Sequence, residues 1–307
     1  MRKSSFFIGL LLLFFVSTSS FYGCNADLYL PTDPDVEAYY QDPMIIRVGS
    51  IKKVNSKVIS NGFYLDAIHR RAQGMAISDS VLYRFYTTGM CKTFDIRDLE
   101  RPAEIATFKL GSYNDSNHAN SAQFYTDNEG RKLLYLSGMG GKCYVESITP
   151  TSSSLIQTIT LDKINYLQNS VRVNMICGDD GYMWLFGIDN KGDMLVFARA
   201  NRPDITLKEA KITQSDILDY WYRTDYKYLE SISQGGKFYG GNLFFVFGSQ
   251  TTDRHLDVYN VCTHEMVYSV DLNEAVTEEP EDCDILGNKI ILSVDSGKGY
   301  YILEMVN

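Results

Sequence analysis

The feature that most constrains this chain is a short apolar run that recurs about every 52 residues. The five runs are Leu82–Phe85, Leu134–Ser137, Met183–Phe186, Leu243–Val246 and Ile290–Ser293. Their starts are 52, 49, 60 and 47 residues apart. Turns rich in Gly, Asn and Asp precede and follow the runs, as at Asp127–Gly130 and Gly138–Gly141. Such turns between short apolar segments are typical of β-hairpins, so each repeat is predicted to contain consecutive antiparallel strands.

Further candidate strands follow each run. The next strand of each repeat is predicted at Cys91–Ile96, Cys143–Ile148, Met194–Phe197, Leu256–Tyr259 and Tyr300–Leu303. The outer strands of the first four repeats are predicted at Glu104–Leu110, Leu155–Leu161, Thr206–Ile212 and Met266–Leu272. Four antiparallel strands every ~50 residues are the period of a β-propeller blade. No helical pattern alternates with the strands, which argues against an α/β sheet.

The predicted fold class is all-β, a β-propeller of five four-stranded blades. The fifth repeat reaches Asn307 without an outer strand, and Ile45–Ile51 is the obvious donor of that strand. An N-terminal strand that closes the last blade removes two exposed sheet edges. Residues 44–307 number 264, and five blades of 52 residues need 260, so the count closes for five blades.

Two stretches in the first repeats carry a resemblance. Phe94–Ile105, followed by Asn117–Gln123 and Leu133–Leu136, resembles the LVIVD-type propeller repeat, in which a D-I-S-x-P segment leads into an outer strand and a His lies near the next inner strand. More broadly, the chain resembles TolB-like propeller lipoproteins of Gram-negative envelopes. The later repeats have the same period but lack these sequence motifs. The resemblance implies a propeller that acts as an interaction module.

The N-terminus predicts export. A basic start, Met1–Lys3, is followed by the apolar run Phe6–Val16 and by small polar residues. These are the three parts of a secretory signal, and the apolar run is too short to span a bilayer comfortably. We therefore expect residues 1–23 to be a signal peptide.

The signal ends in a possible lipid attachment site. Gly23-Cys24 resembles the lipobox of bacterial lipoproteins, in which the Cys sulfur is acylated and the chain is cut before it. We expect a lipid on Cys24, a tether over residues 24–43 and the propeller over residues 44–307. The expected location is the Gram-negative outer membrane, on its periplasmic or cell-surface side. Ordinary cleavage that leaves Cys24 as a free thiol is the alternative.

The remaining cysteines are Cys91, Cys143, Cys177, Cys262 and Cys283. Their number is odd, no two have a CxxC spacing, and each lies in or beside an apolar run, so a zinc site is not expected. We expect buried, unpaired thiols. Cys91 and Cys143 each precede a closing Ile by five residues, which makes them equivalent positions of successive repeats.

Charge and motifs exclude several functions. The net charge is −9 and the pI is about 5.0, which argues against nucleic acid as a partner. The acidic stretch Glu274–Asp284 lacks the spacing of a calcium loop. No HExxH, GxSxG or glycine-rich phosphate motif occurs. We expect no cofactor and no metal.

A ligand site is expected where the inner strands begin, because polar residues there converge on one mouth of the central channel. Counting back four residues from Ile77, Phe124, Ile176, Phe238 and Ile285 gives the predicted ring Gln73, Asn120, Arg172, Gln234 and Glu281. Arg71 and His118 stand two residues earlier in the first two blades. The alternative is that these side chains only solvate a water-filled channel.

The longest repeat spacing points to the same mouth. It arises from Thr213–Glu230, an expected insertion before the inner strand of blade four that is rich in aromatic residues. Trp221 and Tyr222 within it are candidates for stacking on a sugar or peptide. The alternative is that these rings pack on the blade walls.

These observations favour a lipid-anchored envelope propeller that binds a protein or a glycan and catalyses nothing. One alternative is a glycan-active hydrolase or lyase that uses carboxylates or His118 at the mouth. Asp42-Pro43 superficially resembles the segment that carries the catalytic base of five-bladed glycoside hydrolases, but the sequence does not identify a second carboxylate. A further alternative is a structural subunit of an envelope complex that uses the blade sides.

Overall fold

The computed structural model describes residues 47–55, 71–114, 117–162, 164, 173–188, 194–224, 232–296 and 298–306. Within these residues the regular structure is almost entirely β-strand, with one 3-10 turn at Gln214–Asp216. The strands form five separate sheets. The all-β class is therefore confirmed.

Each sheet is one blade. Blade one comprises β2 (Ala72–Ser78), β3 (Val81–Tyr86), β4 (Met90–Asp95) and β5 (Ala103–Lys109). Blade two comprises β6 (Ser121–Thr126), β7 (Lys132–Gly138), β8 (Lys142–Thr149) and β9 (Ser152–Leu161), with β13 (Glu209–Ile212) added beyond β9. Blade three comprises β10 (Val173–Cys177), β11 (Met183–Ile188), β12 (Leu195–Ala200) and β14 (Ile217–Arg223).

The last two blades follow the same plan. Blade four comprises β15 (Ser233–Tyr239), β16 (Asn242–Phe247), β17 (His255–Asn260) and β18 (Glu265–Asp271). Blade five comprises β19 (Pro280–Leu286), β20 (Lys289–Val294), β21 (Gly299–Val306) and β1 (Arg47–Asn55). The predicted apolar runs are the second strands of the blades, as expected.

The five blades close into a ring. The inner strands contact one another in the order β2, β6, β10, β15, β19 and back to β2. Because the strands within each blade are antiparallel and run from the inside outwards, all inner strands begin at the same end of the channel. We call that end the upper opening. A five-bladed β-propeller, as the repeat period predicted, is therefore confirmed.

The N-terminal strand closes the ring in the predicted way. Strand β1 pairs antiparallel with β21, and Ile51 lies opposite Leu303. Val54 on β1 is buried with 4% of its surface exposed, and Lys53 on the same strand forms an ion pair with Glu278 at 2.5 Å. The fold thus joins the two ends of the described chain within one sheet, which leaves β21 with no unpaired edge.

The outer strand of blade three differs from the prediction. Thr206–Ile212 was expected to form it, but β14 does, and β14 lies within the segment expected as a loop insertion. Strand β13, the C-terminal part of the predicted outer strand, crosses to blade two and pairs in parallel with β9. Ala210 and Ile212 of β13 are buried between blades two and three. Their alternation gives a strand signal, but it does not specify which neighbouring blade supplies the partner.

The hydrophobic core lies between neighbouring blades. Trp184 of blade three, 2% exposed, stacks on Phe238 of blade four with ring centroids 4.9 Å apart. This confirms the expectation that Trp184 is a core residue. Each blade thus buries its face against the next one, and this burial is the main favourable term in folding. In the part of the chain that the structure describes, no helix is long and apolar enough to cross a membrane.

The cysteines match the expectation with one exception. The free, buried thiols are Cys91, Cys143, Cys177 and Cys283. Cys91 pairs with Phe85 and Cys143 with Ser137 across equivalent strands, so their predicted equivalence is confirmed. Cys262, in contrast, is disulfide-bonded, and its expected free thiol is wrong.

Candidate functional site

The middle of the channel is occupied by a buried carboxylate. Asp282 on β19 has no exposed surface, and its Oδ2 accepts hydrogen bonds from the backbone N–H of Met75 at 2.9 Å and of Ala122 at 3.2 Å. A Cβ atom added to Gly235 would lie 2.4 Å from Asp282 Oδ1. Asp282 of blade five therefore touches blades one, two and four. Burial raises the pKa of this carboxyl well above its ordinary range.

A second set of polar contacts lies further along the inner strands. Lys237 Nζ of blade four lies 2.9 Å from Asp284 Oδ1 of blade five, and both side chains are buried. Asp284 Oδ2 also accepts from the backbone N–H of Ile77 at 2.7 Å. Gln123 of blade two bonds both backbone groups of Phe238 in blade four. These contacts hold the inner strands together across the channel, so a ligand site belongs at an end rather than in the middle.

The four described members of the predicted ring, Gln73, Asn120, Gln234 and Glu281, lie at the upper opening, but not in equivalent positions. Gln73, Gln234 and Glu281 each lie at an irregularity, where one extra residue enters the inner strand opposite its neighbour. The inner strands of blades two and three pair without such a bulge. Counting back four residues in every blade therefore places Asn120 one residue further from the middle of the channel than Gln73, Gln234 and Glu281. β-Bulges re-aim side chains and are frequent beside functional sites.

A hydrogen-bond network joins four blades at the upper opening. Asn120 Nδ2 donates to Asn174 Oδ1 at 2.8 Å, and Asn174 Nδ2 donates to the carbonyl of Gln234 at 2.6 Å. Gln234 Nε2 donates in turn to Glu279 Oε1 at 2.9 Å. Asn174 and Glu279 were not among the predicted site residues. Nothing in the sequence indicated that β10 pairs with β11 without a bulge, the register in which Asn174 joins the network.

Three carboxylates gather on blade five at the same opening, and we call Glu279, Glu281 and Asp295 the acidic cluster. The backbone N–H of Asp295 donates to the carbonyl of Glu279 at 3.0 Å, since both residues end the β19–β20 pair. Glu281 is 2% and Asp295 8% exposed. Burial raises the pKa of Glu279, and it raises that of Glu281 well above its ordinary range. Repulsion among the cluster adds to both shifts, and attraction to Arg71 opposes them.

The other predicted residues divide into three cases. Arg71 is exposed beside the start of β2 and interacts electrostatically with the acidic cluster. His118 donates its backbone N–H to the carbonyl of Thr87 at 2.8 Å with a φ of 66°, and burial lowers the pKa of its imidazole. Arg172 lies outside the described residues, as do Cys24 and Asp42. The structure thus brings Arg71 to the upper opening and leaves Arg172 undecided.

Trp221 and Tyr222 do not lie at the upper opening. Both are on β14, the outer strand of blade three, and the prediction of a mouth insertion around them is wrong. Trp221 is 6% exposed, and its indole stacks between Phe197 at 4.9 Å and His264 at 4.3 Å. Tyr222 is 51% exposed on the opposite face of the strand. The alternation along β14 explains both environments.

The described residues contain no group of three or more His, Cys, Asp or Glu side chains that could hold a metal ion. The acidic cluster contributes carboxyl groups to the upper opening, next to the amides of the network.

Fold and site together define a five-bladed β-propeller with a polar, partly acidic upper opening. No family model matches the chain, so no family model supports its resemblance to LVIVD-type and TolB-like propellers. No curated protein matches it either. Solved structures, in contrast, do match it.

Three solved structures illustrate the likeness. An exo-β-1,3-galactanase from Phanerochaete chrysosporium, determined with galactose, is 11% identical with a TM-score of 0.51, and the match covers 83% of this chain and 65% of the galactanase. A GH43 β-1,3-galactosidase with galactodeoxynojirimycin is 10% identical with a TM-score of 0.50, covering 85% of this chain and 94% of that one. Glutaminyl cyclase from Myxococcus xanthus is 12% identical with a TM-score of 0.50, covering 85% and 97%. The likeness shows the fold alone.

Proposed function

We propose that this chain is a carbohydrate-binding propeller whose upper opening holds a sugar. The observation that carries the proposal is the network from Asn120 through Asn174 and Gln234 to Glu279, which brings amide and carboxylate groups from four blades to one opening. Amides and carboxylates are the side chains whose donors and acceptors match sugar hydroxyls. A few convergent polar groups at a concave opening are the usual form of a small-ligand site.

The structural neighbours favour a glycan over a protein as the ligand. The galactanase was determined with galactose and the galactosidase with galactodeoxynojirimycin, both on a propeller of this kind. The identities of 11% and 10% limit this support to the fold. It agrees with the polar character of the upper opening.

Glycan hydrolysis is the second candidate, and one observation favours it. Burial raises the pKa of Glu281, and a carboxyl that keeps its proton is what a general acid requires. The arrangement of the other groups argues for binding alone. Two carboxylates must flank the bond to be cut. All three members of the acidic cluster belong to blade five, while blades two and three contribute the amides of Asn120 and Asn174.

Glu279→Gln and Gln250→Ala are expected to weaken glycan binding by about 5- to 20-fold, because the first replaces a carboxylate acceptor at the upper opening by an amide and the second removes an amide, each change being worth about 1 to 2 kcal/mol. Glu279 accepts from Gln234, and Gln250 Nε2 lies 3.4 Å from Asp295 Oδ2. A glycan array on the purified protein selects the best sugar, and calorimetry measures its affinity for each variant.

Glu129→Gln is the matched control, since Glu129 is an exposed carboxylate in the turn between β6 and β7, at the other end of the channel. Its affinity for the glycan should equal that of the wild type. Binding that survives both upper-opening variants, with unchanged melting temperatures, would remove this site. Release of reducing ends from the bound glycan, lost in Glu281→Gln, would instead establish the hydrolase alternative.

We also propose that the mature chain is anchored to a membrane by a lipid on Cys24. Its support is the signal-like segment that ends in Gly23-Cys24. Cys24→Ser is expected to move the protein from the membrane to the soluble fraction, and the intact mass of the wild type should show the lipid. A mature chain whose intact mass carries no lipid, or a Cys24→Ser variant that still fractionates with membranes, would overturn the anchor.

A further inference from the structure

We propose that the sugar held at the upper opening carries a protonated primary amine, so that the ligand class is an amino sugar bound by the acidic cluster. The inference rests on the proposed function and names the chemistry of its ligand. It follows from two buried acceptors at the opening that are left without a donor and from the carboxyl groups beside them.

The amide side chains at the upper opening are oriented by hydrogen bonds within the protein. Asn120, Asn174 and Gln234 donate along the network, and Gln250 donates to Asp295. Gln73 Nε2 donates to the carbonyl of Ala72 at 3.1 Å. These bonds fix the orientation of the amides at the opening.

Two acceptors at the opening are left without a donor. Among the described residues, Gln73 Oε1 and Asp295 Oδ1 are buried without a hydrogen-bond donor. Gln73, which is 3% exposed, follows Ala72, whose N–H donates to the Asp295 carbonyl at 3.0 Å. An unpaired buried acceptor costs free energy that a bound donor recovers. The opening is thus suited to a group that only donates.

Charge points to the same kind of group. The acidic cluster brings three carboxyl groups together, and Arg71, an exposed side chain, attracts Glu279 and Glu281. Burial and mutual repulsion raise the pKa of Glu279 and Glu281, so both carboxyls ionise more readily once a cation is bound beside them. A primary ammonium brings one positive charge and three donors with no acceptor. It therefore matches unpaired buried acceptors beside carboxyls that repel one another, and a hydroxyl-bearing sugar ring carrying that amine would reach the amides of the network.

The test compares two probes that differ only in the amine. A chitosan hexamer carries a free amine on each sugar, and its fully N-acetylated counterpart carries none. Calorimetry at pH 6 is expected to show tighter binding of the amine form to the wild type. Glu281→Gln and Asp295→Asn should each reduce that preference by about 10- to 100-fold, because a charge-assisted hydrogen bond is worth about 1.5 to 3 kcal/mol. Glu129→Gln should leave the preference unchanged.

The outcomes separate this inference from the proposed function. Equal affinity for the two hexamers, or an amine preference that survives both cluster variants, overturns the amino-sugar ligand while the carbohydrate site stands. Binding of neither hexamer, together with an empty glycan array, overturns the carbohydrate site itself. Melting temperatures within a degree or two of the wild type establish that the variants are folded, and loss of the preference when sodium chloride is raised from 0.05 to 0.5 M is the further signature of a charge contact at a partly exposed opening.

Discussion

A chain that begins at residue 56 is expected to lose most of its cooperative stability relative to one that begins at residue 44. The shorter chain lacks β1, which closes blade five by pairing with β21 from Arg47 opposite Val306 to Asn55 opposite Gly299. Its removal exposes the edge of β21 and uncovers Tyr300, which is 1% exposed in the closed ring. A loss of about 5 kcal/mol or more is expected, a large share of the 5 to 15 kcal/mol typical of a whole domain.

Urea unfolding followed by tryptophan fluorescence and circular dichroism measures this loss, and light scattering follows the aggregation expected of an open edge. Ile51→Pro in the longer chain is a second probe, because proline removes a ladder hydrogen bond and Ile51 packs on the core between blades four and five. Arg47→Ala, an exposed residue at the start of β1, is the control that should unfold like the wild type. Superimposable unfolding curves for the two chain lengths would contradict the closure.

The sequence predicted those parts of the fold that depend on local patterns of apolar residues and turns. Alternation of apolar residues and the turns between them specify hairpins, and their regular recurrence specifies the number of blades. The closure by β1 was also predictable, because a repeat that lacks its outer strand leaves an edge that another strand must cover. The observed pair of Ile51 with Leu303 joins the two predicted segments, although β1 extends beyond the predicted segment to Asn55.

The parts that were missed depend on a partner remote in sequence. Strand β13 has the pattern of an outer strand of its own blade, yet it pairs with β9 because Ala210 and Ile212 find a buried position between two blades. Once β13 has left, β14 takes the vacant edge and buries Trp221, which composition alone had suggested as a ligand contact. Local propensity is the same in either pairing, so only the three-dimensional packing decides between them.

Only some residues of the candidate site were predicted, for a similar reason. Gln73, Gln234 and Glu281 were identified because a propeller brings the starts of its inner strands together. Asn174 was missed because bulges shift the register in some blades and not in others. Asp295 was missed because it reaches the opening from the turn after β20, not from an inner strand. Counting residues along the sequence detects neither the bulges nor the contribution of the turn after β20.

Asp282→Ala is expected to destabilise the propeller by about 3 to 5 kcal/mol, although Asp282 lies on an inner strand and takes no part in the closure by β1. Its carboxylate bonds the backbone of Met75 and Ala122 in two other blades, and alanine leaves both N–H groups buried without an acceptor. Each unpaired buried group costs about 1 to 3 kcal/mol, and the space vacated on the axis adds a cavity cost. The free energy of unfolding in urea, which should fall without a change of slope, is the measurement.

Asp282→Asn separates the hydrogen bonds from the charge. Asparagine keeps an oxygen that can accept from both backbone N–H groups, so it should lose much less stability than alanine, and Glu265→Ala, an exposed control on β18, should lose less than about 0.5 kcal/mol. Burial raises the pKa of the Asp282 carboxyl, so folding favours its protonated form. Stability from this group is therefore complete at low pH and is lost as pH rises through the folded pKa. Wild type should thus weaken more than Asp282→Asn between pH 5 and pH 8, because the amide has no proton to lose. Equal pH dependence in both proteins, or an alanine variant as stable as the wild type, would mean that the blades meet at the axis without the help of this carboxyl.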